Sequence, residues 1–141
     1  MLALVLLMAS WIHPGAEVRH RAFLEAVAKY SPSEEIAAEM LDYAEHESSF
    51  GALLSGHRWD PQARGILQIR GPDWLERDEV SSVRYWLAIR ARAAQACGEK
   101  LALAGLSSGR CDRGTHLASE RAAEARWYLA IARLVRGNVK P

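Results

Sequence analysis

Nothing in this chain reads as a β-strand that could carry a fold. No run alternates apolar and polar residues with β-branched enrichment, and no Asn-Gly or Asp-Gly pair marks a tight hairpin. What recurs instead is alanine, leucine, arginine and glutamate, with apolar positions at helical spacing. These side chains lose little rotamer freedom in a helix. With 141 residues, 50% of them hydrophobic, the chain can bury one core and is too short for two. The fold class expected is mostly α, in a single domain.

The spacing predicts an amphipathic helix over Ala16–Tyr30. Ser31-Pro32-Ser33-Glu34-Glu35 then opens a second helix, with Ser33 as cap and two carboxylates against the positive helix end. That helix is expected to run to about Ser48. Residues 51–64 contain Gly51, Gly56 and Pro61 and read as a long loop, a length that in a compact domain is often functional. Gly71-Pro72-Asp73 makes another turn. A third helix is predicted over Glu79–Cys97, with Val80, Val83, Leu87, Ala91 and Ala94 on one face. A short helix near Glu99–Ala104 leads into Gly105-Leu106-Ser107-Ser108-Gly109. The last helix, Leu117–Val135, carries a stripe of Ala118, Ala122, Ala125, Leu129 and Ala132 suited to close packing.

Residues 1–16 divide from the domain at 17–141. The run from Leu2 to Ile12 is too short to span a bilayer as a mature helix. It reads either as the apolar core of a secretory signal peptide cleaved after Ala16, or as a buried first helix. No Lys or Arg precedes it, so the charged start of a signal is missing. Cys97 and Cys111 form an even pair, which in an exported chain suggests a disulfide bond. Such a bridge would stabilise the fold by roughly 3 kcal/mol in the chain-entropy model. A net charge of +1 gives no bulk electrostatic grip on nucleic acid, so none is expected as a partner.

Among the charged groups of the second helix, Glu47 stands apart. At about 100° per residue, Ile36, Ala37, Met40, Leu41, Tyr43 and Ala44 form one apolar arc, and Glu47 falls inside it. Glu45 lies at the edge or beyond, while Glu39, Asp42 and His46 are expected to point away from the arc, with Glu45 and Asp42 read as solvated-face charges. A carboxyl drawn against apolar surface favours its neutral form, and a carboxylic acid still protonated near neutral pH can protonate a leaving oxygen. The alternative is a helix-end glutamate whose head reaches solvent through the following loop.

Glu47-Ser48, then Phe50, then Gly65-Ile66-Leu67-Gln68 resemble the soluble lytic transglycosylase and goose-type lysozyme family. The family pairs Glu-Ser at a helix end with a Gly-x-x-Gln segment after a loop. A third element, Ala-x-Tyr-Asn-x-Gly, is similar to Ala104-Gly105-Leu106-Ser107-Ser108-Gly109. The resemblance covers about residues 33–110 and implies a lysozyme-like helical domain with a groove-lining loop. It implies cleavage of the β-1,4 bond between N-acetylmuramic acid and N-acetylglucosamine, with Glu47 as the single catalytic acid and base and no cofactor. Ser48 would orient the carboxyl, and Gln68 would hold the sugar, with Phe50, Gly65, Leu106 and Ser107 completing the substrate-binding set. Partners would be peptidoglycan glycan strands met by a monomer without a membrane span. The protein would be exported to the periplasm or beyond, or be phage-encoded and delivered to the wall.

Two departures bear on that reading. The Glu47–Gln68 spacing is a few residues longer than the pattern, and Leu106 and Ser107 stand where the family has tyrosine and asparagine. Leucine cannot hydrogen-bond to a carboxyl or a sugar. A non-catalytic wall-binding or structural protein that keeps the groove is therefore the competing class. Tyr43, Trp59 and Trp74 are the candidate aromatic surfaces, Asp60 and Asp73 the loop carboxylates that could position water, and Arg64 and Arg70 cations that could meet peptide carboxylates. The five histidines follow no common zinc spacing, so no metal is expected.

Overall fold

The computed structural model describes residues 1–51, 63–70 and 78–138. Its helices are α1 (Leu2–Ile12), α2 (Ala16–Arg19), α3 (Arg21–Tyr30), α4 (Glu34–Ser48), α5 (Glu79–Cys97), α6 (Ala102–Ser108) and α7 (Thr115–Asn138). A 3-10 turn at Glu99–Leu101 leads into α6. Two short strands, β1 (Ala63–Arg64) and β2 (Ile69–Arg70), pair antiparallel with Ala63 opposite Arg70 and Arg64 opposite Ile69. The class is mostly α, as the composition requires.

The apolar N-terminal run folds as α1, with Leu4, Val5, Met8, Ala9 and Ile12 buried. It packs against α3, α4 and α7. The helix expected over Ala16–Tyr30 is two helices, broken at His20, whose φ of −120° and ψ of 37° leave the helical region. The second predicted helix matches α4 closely. Ser33 Oγ accepts a hydrogen bond from the Ile36 N–H at 3.2 Å, which satisfies one of the free donors of the first turn.

α4 packs against α7 and α1 and touches α3. That position corrects two expectations. Asp42 is 1% exposed, not a solvated charge, because α7 covers the flank it occupies. Glu39 is likewise drawn in, donating nothing and accepting a 2.7 Å hydrogen bond from Nε of the buried Arg90 on α5. A helix packed on several sides has no free face for its charges, so a single-stripe analysis assigns too many of them to solvent.

The buried stripe of α5 is also rotated from the expected one. Ser82, Val83, Trp86 and Arg90 are buried, whereas Val80 and Ala91 are exposed. Asp78 caps this helix through the Ser81 N–H at 3.0 Å. The helix before Gly109 extends through Ser108, so Leu106 and Ser107 lie on α6 rather than in a loop. A Cβ at Gly105 would stand 2.9 Å from Cys97 Sγ and 3.1 Å from the Ala93 Cβ. Glycine there lets α6 close on α5, and the Cys97–Cys111 disulfide ties the end of α5 to the segment before α7. On α7, Ala118, Ala125, Leu129 and Ala132 are buried as expected. Among the described residues, no helix is long and apolar enough to cross a membrane.

Candidate functional site

α4 ends in a tight reversal. Ser49 and Phe50 both take positive φ, 47° and 51°, and are followed by Gly51 at 84°. The Ser49 and Phe50 amides close back on the Glu45 and Ala44 carbonyls at 2.8 and 3.2 Å, satisfying two acceptors of the last turn. Non-glycine residues in this conformation are held there by their surroundings. Ser48 is one such restraint: its buried hydroxyl donates to the Ile66 carbonyl at 2.6 Å and accepts from the Gly51 N–H at 2.9 Å. Phe50 is another, stacked on His13 and packed edge-on against Phe23.

The Gly-x-x-Gln segment forms the turn between β1 and β2. Gly65 takes φ of 69° and Gln68 takes 47°, and the Gln68 N–H donates to the Gly65 carbonyl at 3.0 Å. The Gln68 side-chain amide donates to the same carbonyl at 2.8 Å. Ser48 therefore fastens this turn to the end of α4, which brings the first two elements of the resemblance together.

Beside them lies a cavity of about 240 Å³. Its walls are Glu39, Asp42, Tyr43 and Glu47 from α4, Leu103 and Ser107 from α6, and Leu117, Ala118 and Arg121 from α7. Glu47 and Ser107 thus share one concavity. The side chain of Glu47 is 27% exposed, and its carboxylate is bound by Arg121, Nη1 to Oε1 at 3.0 Å. It is an ion-paired group rather than the isolated carboxyl against apolar surface that periodicity suggested. One turn earlier, Tyr43 leans its ring edge-on against Trp86 at 5.6 Å. Burial, and then the nearby charge of Glu47, push its phenol well above the ordinary range.

The acid in this cavity that leans toward its neutral form is Asp42. Burial raises its pKa to about 7, the negative charge of Glu124 adding to the effect while His46 and Arg121 oppose it. Neither carboxylate oxygen of Asp42 has a hydrogen-bond partner.

Several predicted site residues serve elsewhere. Phe50 is 1% exposed and wedged in the core, so it supports the end of α4 and does not face the cavity. Ser48 holds backbone rather than a neighbouring carboxyl. Gln68 is not part of the cavity wall, and its amide is spent on Gly65. Leu106 is half-buried against the core and also lies off that wall, whereas Ser107 lines it and donates to the Leu103 carbonyl at 2.9 Å. Trp59, Asp60, Asp73, Trp74 and most of the loop at 51–64 lie outside the described residues.

Sequence reasoning missed Arg121, although a signal was present. It falls three residues after Ala118 and four before Ala125, on the buried stripe of α7, where a charge must find a partner. The fold and cavity define a mostly helical domain with a carboxylate-rich pocket that Arg121 also lines. In comparisons with known proteins the chain matches no protein-family model, no curated protein and no solved structure.

Proposed function

We propose that this chain is a peptidoglycan-cleaving glycosidase acting on the bond between N-acetylmuramic acid and N-acetylglucosamine, with Glu47 as its acid and base. The observation that carries the reading is convergence. Glu47 and Ser107, from two of the three elements of the family resemblance, line one cavity. The remaining element, the Gly65–Gln68 turn, is fastened to the end of α4 by Ser48.

The reaction begins with Glu47 giving its proton to the bridging oxygen, which leaves as the 4-hydroxyl of N-acetylglucosamine. Positive charge develops at C1 of the muramic ring in a transition state of oxocarbenium character. The acetamido group of the substrate assists from the opposite side, so a second protein carboxylate is not required. Glu47, now ionised, takes a proton from the muramic 6-hydroxyl as that oxygen bonds to C1, giving the 1,6-anhydro product. A water molecule in the same place gives hydrolysis. Arg121 must release Glu47 for the carboxyl to carry the first proton, and substrate filling the cavity is what would displace it. Hydrogen bonds of catalytic groups are often realigned in this way when substrate binds.

The Glu47–Arg121 pair, together with leucine at 106, favours a second reading in which the cavity binds wall glycan without cutting it. Incubation of the purified protein with cell-wall sacculi separates the two. Cleavage predicts soluble muropeptides from the wild type and none from Glu47→Gln. Sedimentation of both proteins with sacculi, without release from either, supports the binding reading. Mass spectrometry of released fragments distinguishes anhydro from hydrolysed ends.

A further inference from the structure

Three side chains meet at Asp42, which also lines the cavity. Asp42 and His46 stand one turn apart on α4, and Glu124 reaches them from α7. One donor atom from each lies within 4.8 Å of the other two. His46 Nε2 is 3.2 Å from Glu124 Oε2 and 3.6 Å from Asp42 Oδ1.

We propose that Asp42, His46 and Glu124 form a binding site for a divalent transition ion of the zinc type, with its fourth position open to solvent.

The separations suit the ion. A tetrahedral centre with bonds of about 2.0–2.1 Å places its ligands about 3.3–3.4 Å apart, so the two measured edges already approach that figure. The donor set suits it as well: one imidazole and two carboxylates balance a dication without a net charge left over. Two ligands one helical turn apart present both donors on one side of α4, the same logic by which paired helical histidines hold zinc.

The independent pointer is Asp42. It is 1% exposed, it faces the other two groups, and both its oxygens lack hydrogen-bond partners. A buried carboxyl left in that state costs free energy unless something fills its lone pairs. A cation would supply what the protein does not. Its route in is open, because His46 and Glu124 are 35% and 43% exposed at the side chain. Arg121 is the local charge that opposes binding, since it also acts on Asp42, but its guanidinium is engaged by Glu47. The alternative occupant is a proton shared between the two carboxyls, with His46 as a hydrogen-bonding neighbour.

The test is titration of metal-free, untagged protein with Co²⁺, followed by its visible ligand-field absorption, with Zn²⁺ as competitor. One ion per chain with the intense bands of a four-coordinate centre, displaced by zinc, is the expected result. Asp42→Asn, which keeps shape, and Glu124→Gln, on the exposed side, should each weaken binding more than about tenfold. Melting of the same variants in chelator shows that they are folded. Zinc should also raise the melting temperature of the wild type and leave Asp42→Asn unmoved. Absence of the bands, or bands that persist in Asp42→Asn, overturns the site and leaves the shared proton. Loss of the bands in His116→Gln overturns it too, assigning the ion to the exposed His116–Glu120 pair.

Discussion

Arg121 on α7 holds Glu47 on α4 by a 3.0 Å ion pair between residues 74 positions apart. At 18% and 27% side-chain exposure the pair is neither solvated nor sealed. It ties the proposed catalytic group to the helix that forms the opposite wall of the cavity. Removing either partner leaves the other short of its counter-charge.

A double-mutant cycle of Glu47→Gln and Arg121→Gln should therefore give a coupling free energy of about 1 kcal/mol in chemical denaturation. Muropeptide release responds differently. Glu47→Gln should lower it by at least about a hundredfold, far more than its effect on stability explains. Equal small losses in both measurements would assign Glu47 a structural role only.

Asp42 sets the pH dependence of stability. Its folded-state pKa of about 7 lies above its ordinary value of 3.8, so the native state holds a proton that the unfolded chain releases. Its stabilising contribution is full below about pH 4 and is lost as pH rises through 7. The charges facing it are His46 on its own helix and Glu124 and Arg121 on α7. In chelator, Asp42→Asn should flatten this loss and stabilise the protein at neutral pH by about 1–3 kcal/mol. Denaturation across the pH range provides the comparison; an unchanged slope would mean that Asp42 is already ionised and compensated.

Ser48→Ala removes the hydroxyl that bonds the Ala44 and Ile66 carbonyls and the Gly51 N–H, and leaves the last two without this partner. Destabilisation of about 1–3 kcal/mol is expected. Because Ser48 fastens the Gly65–Gln68 turn to α4, amide exchange in residues 65–70 should rise with it. Exchange that rises uniformly, with no excess at that turn, would argue against the fastening role.

The contact of α6 with α5 depends on a missing side chain. Gly105→Ala places a methyl 2.9 Å from Cys97 Sγ, and crowding of this kind typically costs about 1–3 kcal/mol. Reduction of the Cys97–Cys111 bridge should cost roughly 3 kcal/mol. Reduction also frees the sulfur, so the Gly105→Ala penalty should be smaller in reductant. Melting curves of the four combinations would reveal this, and strictly additive effects would contradict it.

Deletion of residues 1–16 should abolish cooperative folding. Leu4, Val5 and Met8 are fully buried and Ile12 nearly so, each worth about 1.5–3 kcal/mol. Together they rival the whole stability of an ordinary domain, about 5–15 kcal/mol. Circular dichroism of the truncated protein would decide the matter. A sharp, unshifted melt would show α1 to be dispensable and would favour cleavage after Ala16.

Sequence alone determined the helical class, the Ser33 start of α4, the bounds of α5 and the stripe of α7. These follow from short-range rules: a cap acts within one turn, and a stripe repeats every three or four residues. The same rules singled out Glu47 as a charge on an apolar arc. They could not show that Arg121 meets it, that Glu124 reaches Asp42 and His46, or that α7 covers the flank of α4 taken to be solvated. Those contacts join residues about eighty positions apart and depend on the angle and depth at which α7 seats on α4. Packing settles that geometry by fitting alanines on both helices, and no local pattern records it.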